Sequence, residues 1–146
     1  MAALQDFDRT LSESTTLDEN AWADEGVVLA GSVAAKLSDK DLTGLAAIWP
    51  KRPLIWQQHC AEVLGWARQD ASIELLMTLV DQADPRVAMA ALESLREFHP
   101  ARFTAEQTKA ILAALHAMLE RPVGPLHQVV LGAFLATLRA AGASGR

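Results

Sequence analysis

The chain is poor in the residues that build the commoner kinds of catalytic and metal site. It has one cysteine in 146 residues and no tyrosine, and aromatic residues make up 5% of it. The lone cysteine, Cys60, excludes an intramolecular disulfide and any zinc site built from several cysteines. H-E-x-x-H, C-x-x-C and G-x-S-x-G patterns are missing, and Gly26, Gly31 and Gly44 do not have the spacing of a phosphate-binding loop. The sequence therefore predicts a protein that is not an enzyme, with no catalytic residues, no metal and no cofactor.

Basic residues are also few, with 13 Lys and Arg against 18 Asp and Glu and a net charge of −5 at pH 7. No basic cluster is larger than Lys51-Arg52, whereas a nucleic-acid binder needs a basic face. Residues 1–30 carry seven acidic residues against Arg9 alone, and the rest of the chain is close to neutral. This distribution argues against nucleic acid as a ligand and favours a basic protein as the partner of the acidic end.

Long apolar runs are missing as well. The longest nearly uncharged run, residues 26–35, is too short to span a bilayer. The first residues lack the positively charged and apolar regions of a signal peptide. We therefore expect a cytoplasmic protein without membrane contact, and a length that fits one domain over residues 1–146.

The residues that are present favour helix throughout the chain. Half of them are apolar, and Leu, Ala, Glu, Gln and Arg are common. Capping-box patterns begin at Thr16, Ser38 and Thr104. Three prolines stand near first helical positions, where a missing N–H costs nothing: Pro53, Pro85 and Pro125. The predicted helices cover residues 2–13, 17–37, 40–49, 53–67, 71–82, 85–98, 104–120 and 125–141.

These helices pair into three hairpins, over residues 40–67, 71–98 and 104–141. In the second hairpin one apolar stripe recurs at helical spacing, formed by Val87, Ala90, Ala91, Leu95 and Phe98. In the last helix we expect a similar stripe of Val130, Ala133, Phe134 and Leu138. Such units cannot bury their apolar faces alone, and about three must stack for stability.

The segment Asp84-Pro85-x-Val87-x-x-Ala90-Ala91-x-x-x-Leu95, preceded by a Leu-rich helix, resembles a HEAT-like repeat. The segment from Trp56 to Gly65 resembles the second helix of the preceding unit, so the resemblance covers residues 53–98. It departs from the pattern at Arg96, where Gly is usual, and at Ala88, where such repeats often carry Arg. The resemblance implies an all-α fold, a short right-handed α-solenoid of about three HEAT-like helical hairpins. These would span residues 38–141, with an acidic N-terminal helical cap at 1–37 and a frayed tail at 142–146.

Several residues could carry chemistry but have a simpler structural interpretation. His59 and Glu62 share a helix face and could form half of a metal site, but no other residues complete it at ligand spacing. Cys60 lies on the predicted buried stripe, so we expect these residues to be structural. We expect Ser32 to let the second helix approach a neighbour closely, and Trp56 to lie in the core.

A partner surface is predicted from the alignment of the two repeat units. In HEAT-like stacks the second helices line the concave surface, and the alignment sets Ile55, Gln58, Glu62 and Trp66 beside Arg86, Met89, Glu93 and Glu97. This strip is either a partner surface or a solvated helix face, and Trp22 and Trp66 serve either an interface or ordinary packing. The predicted partner-binding residues are Asp18, Glu19, Trp22, Asp24, Glu25, Gln58, Glu62, Trp66, Arg86, Met89, Glu93 and Glu97.

The composition and the Trp-Gln…Leu-Gly helix resemble small HEAT-like immunity proteins of bacterial toxin systems. That resemblance implies a protein-binding inhibitor that neutralises a toxin, with a basic toxin domain as the partner. The alternative is a non-catalytic scaffold or adaptor that joins other proteins, either as a monomer or as a homodimer. For the homodimer, Leu126, Val129 and Val130 of the last helix exceed one buried stripe and would pair with a second copy. A third interpretation, a helical-repeat DNA-repair enzyme, requires a basic concave face that the charge distribution does not offer.

Overall fold

The computed structural model of the protein describes residues 2–81 and 84–144, and throughout these residues the regular structure is helical, without a strand. The expected all-α fold is therefore confirmed. In chain order the α-helices are α1 (Ala2–Ser14), α2 (Glu19–Ala21), α3 (Val27–Ala34), α4 (Asp39–Ile48), α5 (Leu54–Val63), α6 (Asp70–Val80), α7 (Pro85–Leu95), α8 (Ala105–Leu119) and α9 (Pro125–Ser144). A π-helical turn, Trp22–Gly26, joins α2 to α3, and three short 3-10 turns follow other helices: Trp49–Lys51, Leu64–Ala67 and Pro100–Arg102.

Side-chain caps explain where several helices begin. Ser38 and Asp41 form a reciprocal capping box at α4, and Thr104 and Gln107 form another at α8, as predicted. The third expected box is wrong. Asp18 caps α2 by accepting from the amide of Ala21, whereas the Thr16 hydroxyl donates back to the carbonyl of Glu13.

The expected helix over residues 17–37 is interrupted by the π-helical turn, which adds one residue to the helical register. The expected helix over 53–67 tightens into a 3-10 turn after Val63, and Arg68, with φ 56°, ends it in the left-handed conformation. At the C-terminal end α9 continues to Ser144, three residues beyond the expected helix end at 141. The expected helix end at residue 82 and the last two residues lie outside the described ranges.

The helices lie in two rows that pack on each other. In the first row α3 contacts α5, α5 packs along α7, and α7 contacts α9. In the second row α1 contacts α4, α4 contacts α6, and α6 contacts α8. Across the rows the main pairs are α1 with α3, α6 with α7, and α8 with α9, whereas α4 packs on α1 and α6 rather than on α5. The expected hairpin over residues 40–67 is therefore the loosest of the three.

The core between the rows follows the predicted stripes closely. Trp56 and Cys60 are buried, as is the whole stripe from Val87 to Phe98. The stripe on α9 differs: Leu131, Phe134 and Leu138 are buried, and Ala133 faces solvent. Among the described helices, none is both long and apolar enough to cross a membrane.

Candidate functional site

A cleft with an acidic lining opens between α5 and α7, and we call it the acidic cleft. It has a volume of about 220 Å³. Its lining residues are Glu62, Trp66, Ala90, Glu93, Ser94, Arg96 and Glu97. Four of the predicted partner-binding residues, Glu62, Trp66, Glu93 and Glu97, are thus brought together from the two helices that the repeat alignment sets side by side. The Arg96 guanidinium is 3.9 Å from the Glu97 carboxylate and supplies one cation at the rim.

Small residues of α7 form the floor of the acidic cleft and allow the two helices to approach. Ala90 and Ser94 are buried. The Ser94 hydroxyl donates to the carbonyl oxygens of Ala61 and Glu62, near the end of α5. Because these carbonyls lie close to the last turn of α5, the hydroxyl replaces part of the hydrogen bonding that the helix end loses. The backbone that carries Glu62 is therefore fixed to α7.

Trp66 forms one wall of the acidic cleft and is held by a close contact with α3. Its side chain is 41% exposed. The indole covers Gly31 so closely that a Cβ atom at that position would lie 2.4 Å from Trp66 Cδ2. The expectation that Ser32 provides the close approach is wrong, since Ser32 is exposed and its hydroxyl donates to the carbonyl of Val28. Gly31, the residue beside it, has no side chain and makes the close contact with Trp66.

The Glu62 side chain is held by Trp22. Trp22 Nε1 donates to Glu62 Oε2 over 2.5 Å. Of the two roles left open for Trp22, the structure shows packing, because Trp22 is 7% exposed and its ring packs against α5. Gln58 also donates to the Glu62 carboxylate. Trp22 and Gln58, both among the predicted partner-binding residues, therefore orient the carboxylate of a third, Glu62.

Burial raises the pKa of Glu62 above its ordinary value, and the negative charge of Glu93 raises it further, against the two hydrogen bonds from Trp22 and Gln58 that lower it. A positive charge entering the acidic cleft would stabilise this carboxylate. The geometry is therefore suited to a Lys or Arg side chain, for which Trp66 offers an aromatic face.

His59 and Cys60, next to the acidic cleft, are structural. The Ser14 hydroxyl donates to the carbonyl of Leu11 and lies 2.8 Å from His59 Nδ1, which assigns the imidazole proton to Nδ1. Burial lowers the pKa of His59 to about 4 and raises the pKa of the Cys60 thiol, so the ring is neutral and the thiol is protonated near pH 7. Within residues 2–81 and 84–144 no group of three or more His, Cys, Asp or Glu side chains is arranged to hold a metal.

The predicted strip is not one continuous surface, because its two residues from the first turns of α7 lie outside the acidic cleft. Arg86 and Met89 line a separate groove with Pro85, Met118, Arg121, Pro122, Val123 and His127, which we call the α9 groove. Between the two surfaces, His127 Nδ1 donates to Glu93 Oε1 over 2.6 Å. His127 was not anticipated from the sequence, because it lies 34 residues from Glu93 and carries no motif.

The remaining predicted residues belong to the segment before α3. Asp18, Glu19, Asp24 and Glu25 are all exposed, and Trp22 between them attaches this segment to Glu62. We call these four carboxylates the acidic edge. The edge and the acidic cleft are thus connected through one hydrogen bond, although 37 residues of sequence separate Glu25 from Glu62.

No family model, no curated protein and no solved structure matches this chain.

Proposed function

We propose that this protein is a non-catalytic inhibitor that binds a basic protein domain through the acidic cleft and the acidic edge. In its most specific form the proposal is an immunity protein that neutralises a bacterial toxin in the cytoplasm, by covering the active or substrate-binding surface of the toxin. We also propose that the two rows of helices are a short HEAT-like α-solenoid, in which the first row forms the binding face.

The observation that carries this proposal is the environment of Glu62. Its hydrogen-bond partners are two neutral donors, Trp22 and Gln58, and the negative charge of another carboxylate, Glu93, acts on it. A carboxylate that is desolvated beside a like charge costs folding free energy, and sites of this kind concentrate where a protein binds or reacts. A cation from a partner would remove that cost, and such a contact is strongest when it is desolvated in the complex.

The shape and composition of the acidic cleft also support a protein partner. Tryptophan is enriched among the residues that dominate interface energies, and Trp66 is both partly exposed and fixed against Gly31. An aromatic side chain that is already ordered loses little conformational entropy on binding. The charges of the acidic edge would speed encounter with a basic surface and make the association rate depend on salt.

The proposal is tested by capturing the partner with tagged protein from its source cells and identifying it by mass spectrometry. We expect one stoichiometric partner with a basic surface, and we expect the purified protein to suppress the toxic activity of that partner. Capture of several unrelated proteins, or a partner whose activity is unchanged in the complex, would contradict the inhibitor function.

The second candidate function is a non-catalytic scaffold of the HEAT-repeat type, and the surface of α9 favours it. Leu126 and Val129 are 74% and 69% exposed, although both are apolar. Exposed apolar pairs of this kind mark interaction surfaces. A mass that rises with protein concentration in light scattering would support this function, and a strict monomer would exclude self-association as its basis.

A further inference from the structure

The outer face of α9 is an apolar surface with a basic border. Leu126 and Val129 are three residues apart and lie on one side of the helix. The α9 groove, about 540 Å³ in volume, adjoins them at His127, and two exposed arginines stand at its edge: Arg121, and Arg86, whose guanidinium is paired with Asp84 over 3.2 Å. Helix α9 is also the last helix of the first row, so no further helix of the described chain covers this face.

The opposite end of the same row carries an apolar surface with an acidic border. Helix α3 is the first helix of the row, and its Val28 and Leu29 are 52% and 60% exposed. Asp24 and Glu25 stand one turn before these two residues and are exposed as well. The two ends of the row are therefore alike in apolar character, and the α3 end presents two carboxylates where the α9 end presents two guanidinium groups.

We propose that these two ends bind each other between copies of the chain, so that the α3 end of one molecule docks on the α9 end of a second. The acidic pair Asp24 and Glu25 would face Arg86 and Arg121, and the apolar pairs would pack together at the centre. Repeat proteins remain soluble as monomers when polar residues cover their terminal helices, and here both ends retain large apolar side chains. The exposed carboxylates at the α3 end favour this head-to-tail pairing over α9 with α9, which would bring the arginines of two copies together.

This inference does not depend on the acidic cleft, but it uses Asp24 and Glu25 of the acidic edge, so a second copy and the basic partner would compete for these two carboxylates. It specifies that the contact between copies uses two different surfaces, and such a contact builds either a closed ring or an open chain of copies. Association therefore continues beyond a dimer as the protein concentration rises.

Two double variants distinguish this head-to-tail contact from pairing of α9 with α9 and from coverage of α9 by a different protein. In the first, Leu126→Asp and Val129→Asp place negative charge on the α9 end. In the second, Val28→Asp and Leu29→Asp place it on the α3 end. All four positions are exposed, so the substitutions are not expected to unfold the protein, and circular dichroism provides the check on folding.

Sedimentation velocity between about 1 and about 200 µM is the measurement. We expect the unmodified protein to form dimers and larger species with rising concentration, each variant alone to remain monomeric, and an equimolar mixture of the two variants to form a dimer and nothing larger. In the mixture, the intact α3 end of the first variant meets the intact α9 end of the second, and the other two ends repel.

Three results would overturn the inference. An unmodified protein that stays monomeric throughout would mean that a different protein covers α9. Self-association of the Val28→Asp, Leu29→Asp variant would mean that α9 pairs with α9, and a mixture without dimers would mean that the two ends do not bind. Glu97→Lys, which changes the acidic cleft, is expected to associate like the unmodified protein, so loss of partner binding and loss of self-association can be distinguished.

Discussion

The indole of Trp22 lies flat on the imidazole of His59, with ring centroids 3.7 Å apart and an angle of 8° between the planes. The same indole donates to Glu62, and the imidazole contacts Ser14 on α1. One stacked pair therefore joins the first helix and the π-helical turn to α5. The position of the acidic edge relative to the acidic cleft depends on this pair.

The first prediction concerns the pH dependence of stability. Burial lowers the pKa of His59 to about 4, below the ordinary value of 6.5. Between these values the unfolded chain binds more protons than the folded one, so stability is fully present above pH 6.5 and is lost as pH falls toward 4. Urea denaturation across this range should show the free energy of unfolding falling by about 2 kcal/mol from this residue.

A His59→Gln variant is the control, because glutamine can still bond to Ser14 and does not titrate. Its free energy of unfolding should vary less between pH 6.5 and 4 than that of the unmodified protein. Equal pH dependence in the two proteins would show that His59 is not a buried neutral residue.

The second prediction concerns Glu62. Replacing it by Gln removes a desolvated charge near Glu93 and keeps an oxygen that accepts from Trp22 Nε1. Because the folded pKa of Glu62 is raised, its ionisation destabilises the folded state at neutral pH. We expect Glu62→Gln to raise the free energy of unfolding at pH 7 by about 0.5–1 kcal/mol, and to raise it less below pH 4.5.

The matched control is Glu74→Gln, at an exposed position on α6, which should change stability little at either pH. If Glu62→Gln lowers the free energy of unfolding at pH 7, the ionised Glu62 carboxylate is stabilised by its surroundings in the folded protein. The main argument for a cation in the acidic cleft is then lost.

The third prediction tests the contact between Gly31 and Trp66. Gly31→Ala forces the indole to move, because the new Cβ atom would lie 2.4 Å from it. We expect a loss of about 1–3 kcal/mol, the range for overpacking. In a Trp66→Ala background the same change should instead stabilise the protein by up to about 1 kcal/mol, since alanine is the better helix former.

Chemical denaturation of the unmodified protein, the two single variants and the double variant gives the coupling free energy between Gly31 and Trp66 directly. Additive effects of the two substitutions would mean that the indole does not cover Gly31 in solution.

The fourth prediction concerns the ion pair that fixes α1 to the turn before α5. Arg52 donates to both carboxylate oxygens of Asp8, through Nε at 2.9 Å and Nη2 at 2.5 Å, and this hydrogen bonding lowers the pKa of Asp8. Asp8→Asn should cost about 1–2 kcal/mol at pH 7, as expected for a hydrogen-bonded pair that is partly buried.

Because the pKa of Asp8 is lowered below 3.8, the stability it provides is present above that value and is lost as pH falls through the folded pKa. The deficit of Asp8→Asn should therefore be constant between pH 7 and pH 5 and shrink only in more acidic solution. The surface pair Arg9 and Asp6 offers a comparison, since Asp6→Asn should cost little.

The sequence predicted the buried faces of α5 and α7 well, because 3.6-residue periodicity depends only on the residues of one helix. The burial of Trp56, Cys60 and Val87 could be predicted for this reason. Contacts between distant segments could not be read from it. Ser32 and Gly31 are both small, and only the position of Trp66 decides which of them is covered.

The candidate site was predicted only in part, because periodicity places residues on helix faces but does not show contacts between distant segments. The alignment of two helices correctly set Glu62 and Trp66 near Glu93 and Glu97. It could not show that His127, from another helix, binds Glu93 and lies between the acidic cleft and the α9 groove. The burial of Trp22 depends on its stacking with His59, and no local pattern encodes that pairing.

The most direct test of the proposed function is calorimetry of the captured basic partner with the unmodified protein, with Glu97→Lys and with Glu74→Lys. Both positions are exposed glutamates, but only Glu97 lines the acidic cleft. We expect Glu97→Lys to weaken binding by about 30-fold or more, the size of an interface hot spot, and Glu74→Lys to bind like the unmodified protein. Equal affinities for all three proteins would contradict the proposal that the acidic cleft binds the partner.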